Sequence, residues 1–414
     1  IAGFSTGDGS HGYDNSDGGM LGSNIKAVSP GVHIEERYED PLRPRVRWQR
    51  PPSNFSGRDG RNQIYYPWET PFTWHQYNSA KGNAYIRRDA DDPIVYWNWF
   101  NIGASHLGKA ILLGDILILV DDLTNGGVTT FDMAPVFQNP PKPPRFLDHI
   151  NRPASEGGLG TYLPQLWRHI LVLHSRNNRR ADFIDIRDPK NLKLINSLDL
   201  SWDEKEEPGN NDLYAQAQDE YVFVRRAKIN MMPLLENKPA EIVLRFDITG
   251  KNRPAGSVRG MTDISQYMYP MGNLLITGAY TYTGRDVVGV WAHQAEPDTR
   301  PPYVSYHRPL ANQTNFPRGA PISIVINESL AGETIVDGKS VILREVDGDT
   351  VICYTSFSHD DILTITPVNY LKPNTTYEVV LPAGGIRDVA NNAIEDYRFR
   401  FSTGSSVQTE QTPP

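Results

Sequence analysis

ILILV (116–120), ILVLH (170–174), YVFVR (221–225) and LLITG (274–278) open just after Asp115, His169, Glu220 and Asn273, at intervals of 54, 51 and 53 residues. A second strand-like run follows each: GVTTFDM (127–133), ADFIDIR (181–187), EIVLRFDI (241–248) and DVVGVWA (286–292). A period of this length predicts an array of small sheets, none able to bury its own faces until a neighbour stacks on it. The expected fold class is therefore all-β.

Working outward, Phe131-Asp132-Met133, Ile184-Asp185-Ile186 and Phe246-Asp247-Ile248 close three of the units, with Pro135, Pro189 or Pro254 in the turn beyond. An Asp there accepts hydrogen bonds from turn amides, and Pro directs the exit. The fourth unit, at Val290-Trp291-Ala292, lacks the Asp. This cadence over residues 105–298 resembles the LVIVD-type repeats of bacterial β-propellers. The resemblance implies a β-propeller of at least four blades, each of four short strands. GVHIEERYEDPLRPRVRW (31–48) reads as the start of a fifth, imperfect unit.

Beyond the Pro-rich stretch QAEPDTRPPYV (294–304) the texture changes to strict alternation, in ISIVINESL (322–330), DILTITPVNYLKPNTTYEVVL (361–381) and YRFRFST (397–403). Alternation predicts an antiparallel sandwich with one face inward and one toward water, Tyr397, Phe399 and Phe401 burying ~2 kcal/mol each. Ile322–Leu330, the run Leu371-Lys372-Pro373-Asn374-Thr375-Thr376-Tyr377 and the turn Asp388-Val389-Ala390-Asn391-Asn392 resemble the bacterial Ig-like domain of surface-layer and other exported proteins. Asn391 stands where that family usually has Gly, and Asn tolerates the left-handed conformation such a turn needs. The resemblance implies a spacer or stalk module in an exported protein. The expected organisation is an irregular segment at 1–60, a propeller at 61–300 with an aromatic-rich N-terminal part, an Ig-like β-sandwich at 301–404 and a tail at 405–414.

Gly (34) and Pro (32) are abundant and charged residues few (22%), which suits a turn-rich β protein. A net charge of −8 gives no attraction to nucleic acid or an anionic membrane. No apolar run approaches the roughly 18 residues of a membrane span. The lone Cys353 excludes an internal disulfide and, within a strand pattern, reads as a small core residue. Because the chain opens at Ile1, a section of a longer protein is expected.

Three sets of residues could carry chemistry. Five of the eight tryptophans (Trp48, Trp68, Trp74, Trp97 and Trp99) fall within 52 residues, beside Tyr65 and Tyr66. Tyr65, Tyr66, Trp68, Trp74, Trp97 and Trp99 read either as a sugar-stacking platform or as a hydrophobic seam against the propeller. Asp8, Asp14, Asn15 and Asp17, in a Gly-rich loop, read either as Ca²⁺ ligands without EF-hand spacing or as solvated loop. His106, His169 and His174, with Asp121, Asp122 and Arg176, could converge into an acid–base pocket at strand ends, or serve as structural side chains. No nucleophile-elbow, P-loop, dinucleotide, zinc or haem motif occurs, so no catalytic residue is assigned and no cofactor beyond Ca²⁺ is expected. The sequons at Asn54, Asn312, Asn327 and Asn374 occur at the chance rate for such a composition. The expected role is an extracellular or cell-surface module that binds other protein subunits or domains, or a surface glycan. The alternative is a carbohydrate-active hydrolase or lyase, or a lectin, with a Trp-lined cleft.

Overall fold

The computed structural model describes residues 107–121, 127–135, 137, 145–160, 164–175, 179–201, 215–224, 227–245, 267–279, 287–357 and 361–405, with four strands between residues 62 and 98. They form an all-β protein with one α-helical turn and two 3-10 turns among them. The first sheet joins β1 (Asn62–Tyr65), β2 (Thr73–Tyr77), β3 (Asn83–Arg87) and β4 (Val95–Asn98). The second joins β5 (Leu107–Leu113), β6 (Ile116–Asp121), β7 (Val128–Asp132) and β8 (Arg145–Ile150). The third joins β9 (Gln165–Trp167), β10 (Ile170–Ser175), β11 (Arg180–Asp185) and β12 (Lys193–Asp199). The fourth joins β13 (Gln216–Gln218), β14 (Tyr221–Val224), β15 (Ala227–Asn230) and, after the helical turn α1 (Met232–Leu235), β16 (Glu241–Arg245). The fifth has three strands among the described residues: β17 (Tyr267–Met271), β18 (Leu274–Ala279) and β19 (Val287–Ala292). All five are antiparallel meanders, neighbours in sequence pairing in space.

The repeat is visible hydrogen bond by hydrogen bond. In the second to fifth sheets a two-residue turn joins the first strand to the next, at Gly114-Asp115, Arg168-His169, Asp219-Glu220 and Gly272-Asn273. The first residue of each is left-handed, with φ of 62°, 55°, 55° and 61°. That is the II′ pattern, whose twist matches the strands it joins. The carbonyl of the second turn residue then accepts from an amide two strands on: Met133, Ile186, Met231 and His293 donate to Asp115, His169, Glu220 and Asn273.

The closing Asp behaves as expected in two units. Asp132 Oδ1 accepts from the amide of Ala134 (2.8 Å), and Asp185 Oδ1 from that of Arg187 (2.9 Å). The third unit differs from expectation. The partner of β14 is the short polar strand β15, and residues 241–245 form the outer strand β16 instead. Asn230, not Asp247, occupies the equivalent register position, opposite Tyr221, and its Oδ1 accepts from the amide of Met232 (3.1 Å). Asp247 lies outside the described residues. Asn230→Ala should cost about 1 kcal/mol, the net worth of one such bond, and Asn230→Asp should keep it; urea denaturation of the two variants checks this.

Successive sheets pack on one another. Ile111, Ile116 and Ile118 of the second sheet share a core with Leu171, Leu173 and Ile184 of the third. Val172 and Phe183 pack with Val222, Val224 and Ile229 of the fourth, and Phe223 with Met268 and Leu275 of the fifth. The short first strands β9, β13 and β17 lie side by side. Residues 31–48, expected to open a fifth unit, lie outside the described residues.

The remaining strands build a two-sheet sandwich, β20 (Val304–Arg308), β21 (Ile322–Ile326), β22 (Ile342–Glu345), β23 (Cys353–Phe357), β24 (Ile362–Pro367), β25 (Thr376–Leu381) and β26 (Tyr397–Ser402). One sheet runs β20-β21-β24-β23 and the other β22-β25-β26. Phe399 and Phe401 are buried as their alternation predicts, Tyr397 is half-buried, and Asn391 is left-handed at φ 73°. Cys353 is half-buried on β23, and burial pushes its thiol up to about 12, so it is an inert packing residue. One expectation fails. β21 is buried on both faces rather than half-wetted, because Ile322, Ile324 and Ile326 fill the sandwich while Val325 joins the core between the second and third sheets.

Candidate functional site

The four II′ turns are the most informative surface of the array, because each is seated on a residue between Asp298 and Asn327. At the first turn, Arg308 Nε and Nη2 both reach Asp115 Oδ1 at 2.9 Å, and the amide of Gly114 donates to Ser323 Oγ (2.9 Å). At the second, the Arg168 guanidinium lies over the rings of Trp167 and Tyr303 (5.1 and 5.9 Å), while the ring of His169 meets Tyr306 edge-on at 6.2 Å. At the third, the Asp219 amide donates to the carbonyl of Asn327 (2.9 Å). Asn327 Nδ2 donates back to Asp219 Oδ1 (2.9 Å), and Arg300 pairs with Glu220. At the fourth, Gly272 is so close to Ala390 and Asp298 that a Cβ there would sit 3.3 Å from one Cβ and 3.4 Å from the other.

The order of these contacts follows from geometry. As the array advances from the first turn to the fourth, the partner descends from Arg308 through Tyr306, Tyr303 and Arg300 to Asp298. An extended segment laid across evenly spaced turns meets one turn every few residues, because each extended residue advances about 3.3 Å. Arg168 and Asp219 are non-glycine residues held left-handed, which costs roughly 1 kcal/mol each. Their contacts with Tyr303 and Asn327 offset that strain, so the turn conformation and the docking support each other. The Pro-rich stretch 294–304 is thus a docked segment that supplies Asp298, Arg300 and Tyr303, not a slack linker.

At the fourth turn the seam becomes acidic. The carboxylates of Asp298, Glu328 and Asp388 are buried, and one oxygen from each lies within 4.8 Å of the others. N–H groups orient these carboxylates: the amide of Arg300 donates to Asp298 Oδ1 (3.0 Å), Asn327 Nδ2 to Glu328 Oε1 (2.9 Å), and the amide and side chain of Asn392 to the two oxygens of Asp388 (2.8 Å each). Burial, with the neighbouring charges of Asp219, Asp298 and Asp388, pushes the Glu328 carboxyl up to about 10. Burial also raises Asp219 to about 6, against the pull of Arg300.

The aromatic candidates are only partly described. Tyr65, Trp74 and Trp97 lie on β1, β2 and β4. Tyr65 is opposite Trp74, Trp74 opposite Ile86, and Trp97 opposite Ala84, two residues from Ile86. Strand alternation therefore puts positions 65, 74 and 97 on one side of the first sheet. Tyr66, Trp68 and Trp99 lie outside the described residues, as do Asp8, Asp14, Asn15, Asp17, His106, Asp122 and Arg176. Of the described histidines, His169 sits in the turn before β10 and His174 near that strand's far end. His174 is buried, a structural side chain. The sequon at Asn327 is closed, since its amide is buried and bonded to Asp219 and Glu328.

None of the seam was read from the sequence. The signal for it was indirect: Glu328 and Asp388 stand inside the runs that carry the Ig-like resemblance, and Asp298 in the Pro-rich stretch before them.

No curated protein sequence matches the chain. Among solved structures, a protein from Lactobacillus plantarum aligns at 12% identity over 66% of this chain and 81% of its own, with a TM-score of 0.28. The extracellular domain of a putative one component system from B. thetaiotaomicron aligns at 9% identity over 81% of this chain and 43% of its own, with a TM-score of 0.30. Likenesses this slight carry no argument about fold or function. The family comparison is specific: residues 298–403 match the bacterial Ig-like domain. That interval takes in the docked segment from Asp298 onward as well as the sandwich, so the chain ends in an Ig-like domain whose leading edge is the seam.

Proposed function

We propose that the chain is a non-catalytic module of a bacterial extracellular or cell-surface protein, in which residues 61–300 form a β-propeller of at least four blades and the Ig-like domain is fixed to it. The seam carries this reading: four equivalent turns, one per sheet, are seated on a single edge of the Ig-like domain. Such an arrangement makes the two parts a rigid presenting surface for another protein subunit or domain. The face-to-face order of the sheets and the adjacency of β9, β13 and β17 support the propeller. No helix among the described residues is long and apolar enough to cross a membrane. The buried cluster Asp298, Glu328 and Asp388 offers no open cleft in which two carboxylates could flank a sugar bond.

Labelling intact source cells with a membrane-impermeant biotin reagent tests the location. The chain should be labelled to the same extent before and after lysis; labelling only after lysis overturns the reading.

A second reading, a lectin, is favoured by one observation, the common side of the first sheet shared by positions 65, 74 and 97. On a glycan array the chain would then bind a sugar ligand, and Trp74→Ala or Trp97→Ala would weaken that binding at least tenfold, the worth of one stacking contact. Binding that survives both substitutions removes this reading. The Asp8, Asp14, Asn15 and Asp17 loop remains an alternative Ca²⁺ site, which the Asp14→Asn variant below tests.

A further inference from the structure

We propose that Asp298, Glu328 and Asp388 form a Ca²⁺ site that clamps the Ig-like domain to the fourth turn of the repeat array. Two independent observations carry it. First, the three ligand oxygens lie within 4.8 Å of one another, twice a typical Ca²⁺–oxygen distance of about 2.4 Å, so a single ion can touch all three. Second, Asp298 Oδ2 and Glu328 Oε2 have no hydrogen-bond donor, although Asp298 is only 7% exposed and Glu328 1%. Two buried carboxylate oxygens without a donor are costly, and ionising them beside a third carboxylate costs more unless a cation joins them.

The polar surroundings fit a cation and leave little else to satisfy these oxygens. One oxygen of Asp298 and one of Glu328 are held by N–H groups, and both oxygens of Asp388 by Asn392, the outer-shell arrangement that fixes ligand orientation around a metal. The guanidiniums nearest by sequence are engaged elsewhere, Arg300 with Glu220 and Asp219, and Arg387 with the carbonyl of Asn391. All the donors are oxygens, which selects a hard cation; three carboxylates on three separate segments suit the larger, geometrically tolerant Ca²⁺ better than Mg²⁺. Asp298 comes from the segment after the fifth sheet, Glu328 from just beyond β21, and Asp388 from the turn before β26. Binding would therefore tie the docked segment to both sheets of the sandwich, beside Gly272.

The test uses the full chain, stripped with EGTA, titrated with CaCl₂ by calorimetry and followed by thermal unfolding. Ca²⁺ should bind and raise the melting temperature, with MgCl₂ weaker by at least tenfold. Glu328→Gln and, separately, Asp388→Asn should weaken the Ca²⁺ affinity at least tenfold and abolish most of the shift. Glu328→Gln puts a neutral side chain of the same shape in place of a carboxyl pushed up to about 10, and should melt close to the wild type in EGTA. Asp388→Asn loses one of its two bonds from Asn392, so its effect is read as the difference between Ca²⁺ and EGTA. Asp14→Asn, in the N-terminal Gly-rich loop, should leave the shift intact. Equal melting of the wild type in EGTA and Ca²⁺ overturns the proposal. So does a shift that survives in Glu328→Gln and Asp388→Asn but is lost in Asp14→Asn.

Discussion

Arg308→Ala should lower the stability of the full chain by about 3–5 kcal/mol, the cost of leaving one member of a buried ion pair without the other. Arg308 is 8% exposed, and its guanidinium closes on Asp115 across 193 residues of sequence. Gln313 Nε2 also reaches Asp115 Oδ2, at 3.3 Å, but an amide brings no charge to replace the guanidinium. The first turn cannot relax to compensate, because Gly114 is left-handed and a Cβ there would lie 2.9 Å from that of Arg308. The double variant Asp115→Leu/Arg308→Met should recover most of the loss, since an apolar pair has no charge to strand. Urea denaturation of the single and double variants measures both numbers. A loss below about 1 kcal/mol in the single variant would show that the seam contributes nothing as a buried pair.

What could be read in the sequence followed the range of each interaction. The strands β6, β10, β14 and β18 were legible because each is a short apolar run recurring at a nearly fixed interval, a local pattern repeated. The sandwich strands β21, β24, β25 and β26 were legible for the same reason. β15 was missed because Ala227–Asn230 is four residues long, carries Lys228, and competes with the better-looking FDI at 246–248. The first strands β9 and β13 read QLW and QAQ, too short and too polar to announce themselves, yet they lie beside one another and are buried. The seam was illegible in principle. Asn327 meets Asp219 across 108 residues and Ser323 meets Gly114 across 209, and nothing in the spacing of a single chain encodes such complementarity. β21 was read as half-exposed because its second face, Ser323 and Val325, has a polar–apolar mixture that suits water as well as it suits the turns it covers.

The packing of the fourth sheet on the fifth should weaken as the solution is acidified, and His293 is the reason. His293 is buried between the two sheets, with its Nε2–H donating to the carbonyl of Gly272 (2.8 Å) and its Nδ1 accepting from Lys228 Nζ (3.3 Å). Phe223 packs edge-on against the ring at 4.9 Å, and the one facing anion is Asp298. Burial, with the charge of Lys228, holds the imidazole down to about 4, against an ordinary value near 6.5. Lys228 cannot retreat from a second cation at no cost, since its ammonium also sits over the Tyr221 ring at 3.9 Å. Because the folded form resists the proton more than the unfolded form does, the contribution of this group is whole above pH 6.5. It is lost as pH falls through 4, about 3 kcal/mol in all at 1.36 kcal/mol per pKa unit. Carboxylates held low by arginines, such as Asp185 and Glu220, lose stability over the same range, so the absolute slope is not diagnostic. The diagnostic quantity is the difference from His293→Gln, which keeps a neutral hydrogen-bonding side chain and cannot titrate. Urea denaturation at pH 7.5, 5.5 and 4.0, on protein stripped with EGTA at pH 7.5 and exchanged into Ca²⁺-free buffers, should show the wild type losing about 3 kcal/mol more than the variant. Parallel curves would mean that the imidazole is already charged in the folded protein and that Lys228 gives way to it.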